Sequence, residues 1–247
     1  MDLNETNQEV VNRHPWELSR TKCILKVFSK YLGNTGKMAS YINVGAGDLY
    51  FDRVLLKKYK KHKVHAVDIG YESMDSDDER IKKYHYLEEI PVESVDYALM
   101  MDSLEYMEDD AGYVRKMSEK IRKGGYFFFT LPAFQILFSD HDVNVKNLRR
   151  YSRKSFAGVL KKVPELEKIE DHYFYTSLFL VRFAQKMLRL PIDPDHKVTA
   201  YWQHAENSLV TRLLEACLSL DFTVNRAFSK IGIRFPGLSL LVICRKK

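Results

Sequence analysis

Two stretches carry residues whose types and spacing suit a nucleoside-bearing ligand. The first is Asn43-Val44-Gly45-Ala46-Gly47-Asp48-Leu49, with two glycines just after an apolar run. Glycine accepts a left-handed backbone and lets the chain approach a ligand closely. The second, Val64-His65-Ala66-Val67-Asp68-Ile69, ends on a carboxylate and an isoleucine. An acid about 20 residues beyond a glycine turn can accept both hydroxyls of a ribose. Taken alone, the turn also fits a nicotinamide-dependent oxidoreductase. That class expects a third glycine near position 50, where Leu49-Tyr50-Phe51 stand.

A second group suits proton and anion chemistry. Ser139-Asp140-His141-Asp142 sets an imidazole beside carboxylates. With an unperturbed pKa near 6.5, such an imidazole can take a proton from an acceptor hydroxyl. Arg149 and Arg150 suit a phosphate or carboxylate on a substrate. A structural loop pair and surface ion pairing are the competing readings of these four residues. Trp16 and Arg20 suit a ligand clamp, or simple packing of the helix that carries them.

The elements that must position these residues alternate. Helical spacing covers 14–32 and closes at Gly33; strands are expected at 39–44, 64–69, 84–87, 95–101 and 126–131. Helices are expected at 51–59 and 109–122, the latter stopped by Gly124-Gly125. Strand–helix repetition means a parallel sheet covered by helices on both faces. Ligands of such sheets lie beyond the carboxyl ends of the strands. Residues 45–48, Asp68, Glu88 and Asp102 all fall at those ends. Further on, a helix is expected at 155–163, capped by Ser152 or Ser155, and a strand at 166–175. Then come helices at 178–190 and 207–220, separated by the hinge Pro191-Ile192-Asp193-Pro194, and a closing strand at 237–244.

Composition sets outer bounds. The chain has 247 residues, 45% of them apolar, and a net charge of +6. That is enough apolar residue for a sizeable core. The charge permits an anionic partner without requiring one. Part of it is the run Lys57-Lys58-Tyr59-Lys60-Lys61-His62-Lys63, at a helix end where cations complement the dipole. Three scattered cysteines form no metal spacing and fit a reducing compartment. No metal site is expected. No apolar run reaches the roughly 18–20 residues that a bilayer span needs, and no signal segment is visible. A cytoplasmic protein is expected.

Four blocks, in order and at matching spacing, make the chain resemble class I S-adenosylmethionine-dependent methyltransferases, in particular those of the type 11 and 12 groups. They are Asn43 to Asp48, Val67-Asp68, Val95 to Tyr106, and Gly124-Gly125 before a phenylalanine-rich strand. The resemblance covers most of the chain from about residue 14. It implies a Rossmann-like, seven-stranded, mostly parallel sheet with helices on both faces and a helical insertion before the last strand. One domain is implied. Residues 14–37 form a covering helix, 39–176 the cofactor-binding core, 177–234 the insertion, and 235–247 the last strand and tail. The Ser-Asp-His-Asp and Arg-Arg-Tyr-Ser-Arg segments are similar to those of a bacterial subgroup linked to glycan or lipid-linked sugar synthesis.

The resemblance also implies roles. Asn43, Gly45, Ala46, Gly47 and Asp48 would hold the methionine part of S-adenosylmethionine, with backbone N–H groups meeting its carboxylate. Asp68 would bind the ribose hydroxyls, with Ile69, Leu87 and Glu88 near adenine. Met101 and Asp102 would face the methionine end. From their chemistry and position rather than from the resemblance, Tyr106, Arg149 and Arg150 are expected to touch substrate, and His141 and Asp142 to do acid–base work. The chain departs from the family pattern at Asn43, where an acid is usual, at Leu49, where glycine is frequent, and at Tyr106, where many relatives carry His. No Asn/Asp-Pro-Pro-Tyr follows the fourth strand, so exocyclic amines of bases are not the expected target. The expected reaction is O-methylation of a small-molecule, glycan or lipid-linked acceptor. The alternative is a catalytically silent binding protein on the same scaffold. No nucleic-acid partner is expected. Peripheral contact with the inner face of a membrane, through residues 178–190, and a homodimer are both compatible with the sequence.

Overall fold

Runs of β-branched and aromatic residues build the sheet of the computed structural model, which describes residues 12–32, 38–188, 202 and 204–247. The strands are β1 (Ser40–Val44), β2 (Lys63–Val67), β3 (Ile81–Tyr84), β4 (Val95–Met101), β5 (Ile121–Pro132), β6 (Leu166–Phe174) and β7 (Ser239–Lys246). Their order is β3-β2-β1-β4-β5-β7-β6. The first five are mutually parallel. β7 runs antiparallel between β5 and β6. The helices are α1 (Pro15–Tyr31), α2 (Tyr50–Lys58), α3 (Asp110–Lys120), α4 (Asp140–Asn144), α5 (Arg153–Lys161), α6 (Thr176–Met187) and α7 (Leu209–Lys230). α6 and α7 lie between β6 and β7, as an insertion before the last strand requires.

Strand alternation sorts the core into two layers. Phe127, Phe129, Leu240 and Val242 face Val114 and Met117 of α3 and Phe156 of α5. Phe128, Leu241 and Ile243 face the other way, onto Phe28 of α1, Leu55 of α2 and Phe222 of α7. Phe28 is the hinge of that second layer. Its ring meets Tyr41, Tyr97 and Phe128 edge-on, with centroids 6.1, 5.4 and 4.7 Å away. α1 therefore lies across β1, β4 and β5, with Phe28 over the first halves of β1 and β4 and Arg20, two turns earlier, reaching Asp102 beyond the carboxyl end of β4.

Several boundaries differ from expectation, for local reasons. The third strand covers Ile81–Tyr84 rather than 84–87. Glu89 accepts from the N–H groups of both His85 and Tyr86, which folds Leu87 into a 3-10 turn instead. The glycine pair does not end a helix but lies inside β5. Pairing passes from Val95–Ile121 to Tyr97–Tyr126 across this irregularity. A Cβ at position 125 would stand 2.6 Å from the Asp96 carbonyl, so the strand can pass only as glycine. α5 begins two residues early because Ser152 caps it, accepting from the Ser155 N–H. α7 runs ten residues past its expected end at 220. Gly33 and the Pro191–Pro194 hinge lie outside the described residues.

Candidate functional site

The rim formed by β1, β2 and β4 is built from mutually dependent turns. Gly45 has φ +70°, and a Cβ there would stand 2.7 Å from the Ser103 Cβ. Ser103 in turn donates its hydroxyl to the Val44 carbonyl at 2.9 Å. The glycine is thus required both by backbone angle and by the exit of β4. Gly45 and Ala46 N–H groups donate to the Val67 carbonyl, at 2.9 and 3.4 Å. Gly47 N–H donates to Asp68 Oδ2 at 2.9 Å, and Gly70 N–H to Asp68 Oδ1 at 2.9 Å. Three N–H groups that the sequence reading offered to a ligand carboxylate are therefore engaged within the protein. Asp68 still has lone pairs free for hydroxyl donors, and neighbouring Ile69 is 81% exposed on the same rim.

Below the turn, Asn43 Nδ2 donates to Asp52 Oδ2 at 2.9 Å, and both residues are buried. Burial pushes the Asp52 carboxyl up to about 7, against the lowering effect of the Asn43 bond. Asn43 Oδ1 and Asp52 Oδ1 are left without partners among the described residues. Leu49, at the frequent glycine position, has φ +64° and ψ +13°. The left-handed region costs a side-chain-bearing residue about 1–2 kcal/mol. Leu49 offsets this by burying itself against the layer that holds Leu55 and Phe51.

Two arginines close over the rim. Arg13, just before α1, pairs with Asp48 and with Glu17, and lies 3.7 Å from the centre of the Tyr50 ring. Arg20 of α1 pairs with Asp102 and lies 4.1 Å from the Trp16 ring. Asp102 itself has φ +50°, and its Oδ1 accepts from Thr130 Oγ1 at 3.3 Å. Trp16 and Arg20 thus stack on one another beside the acid at the end of β4. Met101 is half-buried there. Leu87 is a core residue, and exposed Glu88 pairs with Lys116 of α3 at 2.9 Å.

The acceptor-side candidates gather around α4. Asp142 is wholly buried and accepts from Ser139 N–H and Oγ, from Asn147 Nδ2, and from Arg150 Nε and Nη2 at 2.9 Å each. Burial alone would raise its carboxyl, but Arg150 and Asn147 hold it below the ordinary range. Arg149 pairs with Asp110 at 3.2 Å and donates to the Glu108 carbonyl. Asp142, Arg149 and Arg150 are therefore occupied in fastening this loop to the body. His141 is half-buried, and burial, with Arg182 and Arg150 nearby, lowers its pKa against the pull of Asp142. This lowering favours the neutral imidazole. Tyr106, 41% exposed, stands on the 3-10 turn after β4.

One residue escaped the sequence reading. Glu105, on that same turn, is 2% exposed, and its Oε2 has no partner among the described residues. Burial, and then the charge of Asp102, push its carboxyl well above the usual range, opposed by Arg20 and Arg150. A buried carboxyl group with a raised pKa thus sits between the rim and the α4 loop. The only signal was an acid directly after Leu104 at the end of an apolar strand.

Comparison with known proteins places these features. A family described as "Methyltransferase domain" matches residues 42–129, from β1 into β5. Methyltransferase gedG of Aspergillus terreus is 25% identical over 190 residues, 69% of this chain and 57% of its own. The chain thus spans little more than half the length of that curated relative. Among solved structures, an S-adenosylmethionine-dependent methyltransferase from Mesorhizobium loti aligns with a TM-score of 0.56 and 15% identity. The alignment covers 91% of this chain and 98% of that one. Phosphoethanolamine N-methyltransferase 2 of Haemonchus contortus, solved with S-adenosyl-L-methionine, gives 0.55 and 13%, over 90% and 52%.

Proposed function

We propose that this chain, which has the class I methyltransferase fold and carries a methyltransferase domain, binds S-adenosylmethionine on the β1, β2 and β4 rim and methylates a hydroxyl on a small-molecule or glycan-like acceptor. The observation that carries the reading is Asp68. Its carboxylate fixes Gly47 and Gly70 together at the mouth of two parallel strands, where a ribose can be held. The residues fit such a cofactor in two further ways. Asn43 Oδ1 is a buried acceptor lacking a donor beneath the turn. Ile69 offers an exposed apolar surface to a base.

When bound, the cofactor supplies a methyl group already activated by its sulfonium charge. What remains for the protein is alignment, water exclusion and one proton transfer. Arg13 and Arg20 hold the segment from Arg13 through α1 over the rim by pairing with Asp48 and Asp102, which keeps water from its mouth. Neutral His141 can take the acceptor's hydroxyl proton on a free ring nitrogen. Asp142 and Arg150 serve as positioning residues that hold His141's turn. The test is His141→Ala. Turnover with a hydroxyl acceptor should fall at least about a hundredfold, the usual contribution of a general base, while cofactor affinity stays constant. Unchanged turnover removes His141 from the chemistry. A second reading, a binding protein without turnover, draws support from Asn43 standing where an acid is usual. Cofactor binding without transfer to any hydroxyl or amine acceptor would favour it.

A further inference from the structure

α7 carries two faces rather than one. Thr211, Leu218, Phe222 and Asn225 are buried. On the opposite side run Leu213, Cys217, Leu220, Val224, Phe228 and Ile231, spaced by three and four residues so that they share one stripe. That stripe is open: Leu213 is 57%, Leu220 63% and Ile231 71% exposed. α6 buries none of its residues and adds exposed Leu180, Val181 and Met187. A contiguous apolar surface of this kind marks an interaction site.

The charges say what fits it. Acids on and just before α7 are turned to internal work. Glu215 pairs with Lys22 at 3.0 Å, Asp221 accepts from the Thr176 and Ser177 N–H groups, and Glu206 accepts from the Arg13 N–H. Cations are left over: Arg212, Lys230 and Arg234 have no ion-pair partner among the described residues. Lys230 and Arg234 line a cavity of about 180 Å³ at the end of α7, together with Glu170, Asp171 and Arg226, which pair with other groups, and His172, whose ring nitrogens have no hydrogen-bond partner among the described residues. A second copy fits less well. Antiparallel pairing about Leu220 would bring Arg212 and Lys230 from opposite copies together, with no free acid on the helix to separate them.

We infer that the outer face of α7, continued by α6, docks on an anionic lipid bilayer, with the apolar stripe entering the headgroup boundary and the free cations meeting lipid phosphates. This stands independently of the methyltransferase reading, because docking needs neither cofactor nor turnover.

The experiment is co-sedimentation of the full chain with vesicles of one part phosphatidylglycerol to three parts phosphatidylcholine, against pure phosphatidylcholine. Binding is expected to the first and not the second, and to weaken as salt screens the charges. Leu220→Glu and the double variant Lys230→Glu/Arg234→Glu should each lower it by about tenfold or more, as loss of apolar contact or of surface cations demands. Circular dichroism melting checks that both variants remain folded, which the exposure of Leu220 favours. Absence of sedimentation with either vesicle overturns the inference. So does equal binding to both vesicles that ignores the charge reversal. A concentration-dependent dimer, abolished by Leu220→Glu and without vesicle binding, would assign the face to a second copy instead.

Discussion

Asn43 donates its amide to Asp52 at 2.9 Å in a buried pair beneath the glycine turn. This explains the asparagine at a position where relatives usually carry an acid. A carboxylate at 43 would meet the carboxylate of Asp52 with no water between them, and two such groups cannot both ionise. Asn43→Asp should destabilise the fold by about 2–3 kcal/mol at pH 8, the cost of an unsatisfied buried polar group. Asp52→Asn in the same chain should restore most of the loss by exchanging the two roles. Thermal melts of both singles and the double form the cycle. Additive losses would show that the two side chains do not interact.

The pH dependence of Asp52 follows from its burial. The folded carboxyl titrates at about 7, above its ordinary 3.8. Between those values the unfolded chain releases this proton and the folded chain keeps it, so stability falls as pH rises. Its contribution is fully present below about 4 and is lost as pH rises through 7. Asp52→Asn removes the slope, and the melting temperature of the variant relative to the native protein should climb from pH 5 to pH 8. A constant difference would show that the carboxyl titrates in the same range folded and unfolded.

Leu49 sets strain against burial. Leu49→Gly relieves a left-handed backbone worth about 1–2 kcal/mol, but deletes a buried leucine worth about 2–5 kcal/mol. The net expectation is a loss of about 2 kcal/mol in urea unfolding. A more stable variant would mean that the leucine contributes little to the α2 layer.

Glu105 should behave as a neutral acid. Glu105→Gln keeps shape and charge state, and its melting temperature at pH 7 should match the native protein. Glu105→Ala leaves a cavity beside Asp102 and should cost about 2 kcal/mol or more. Equal losses for both variants would mean that the carboxyl is ionised and held by Arg20 or Arg150.

Much of this was legible in the sequence. The strand–helix rhythm, the seven strands and the placement of Gly45, Asp68 and Asp102 at one rim follow from local pattern, because parallel strands buried on both faces are continuously apolar. What was not legible depends on contacts between distant residues. Arg13 and Arg20 reach Asp48 and Asp102 across 35 and 82 residues. No spacing rule announces them. Asp142 reads as a catalytic neighbour of His141 until Arg150, Asn147 and Ser139 fill its oxygens. The third strand shifted because one side chain, Glu89, closes a turn that propensity alone leaves open.

The central claim is cofactor binding at Asp68, and titration calorimetry with S-adenosylmethionine and S-adenosylhomocysteine measures it directly. The native protein should bind both. Asp68→Ala should weaken both by tenfold or more, since about 1.4 kcal/mol corresponds to tenfold and a ribose held by a charged acceptor is worth at least that much. No heat of binding at millimolar ligand, or an affinity indifferent to Asp68→Ala, would contradict the account.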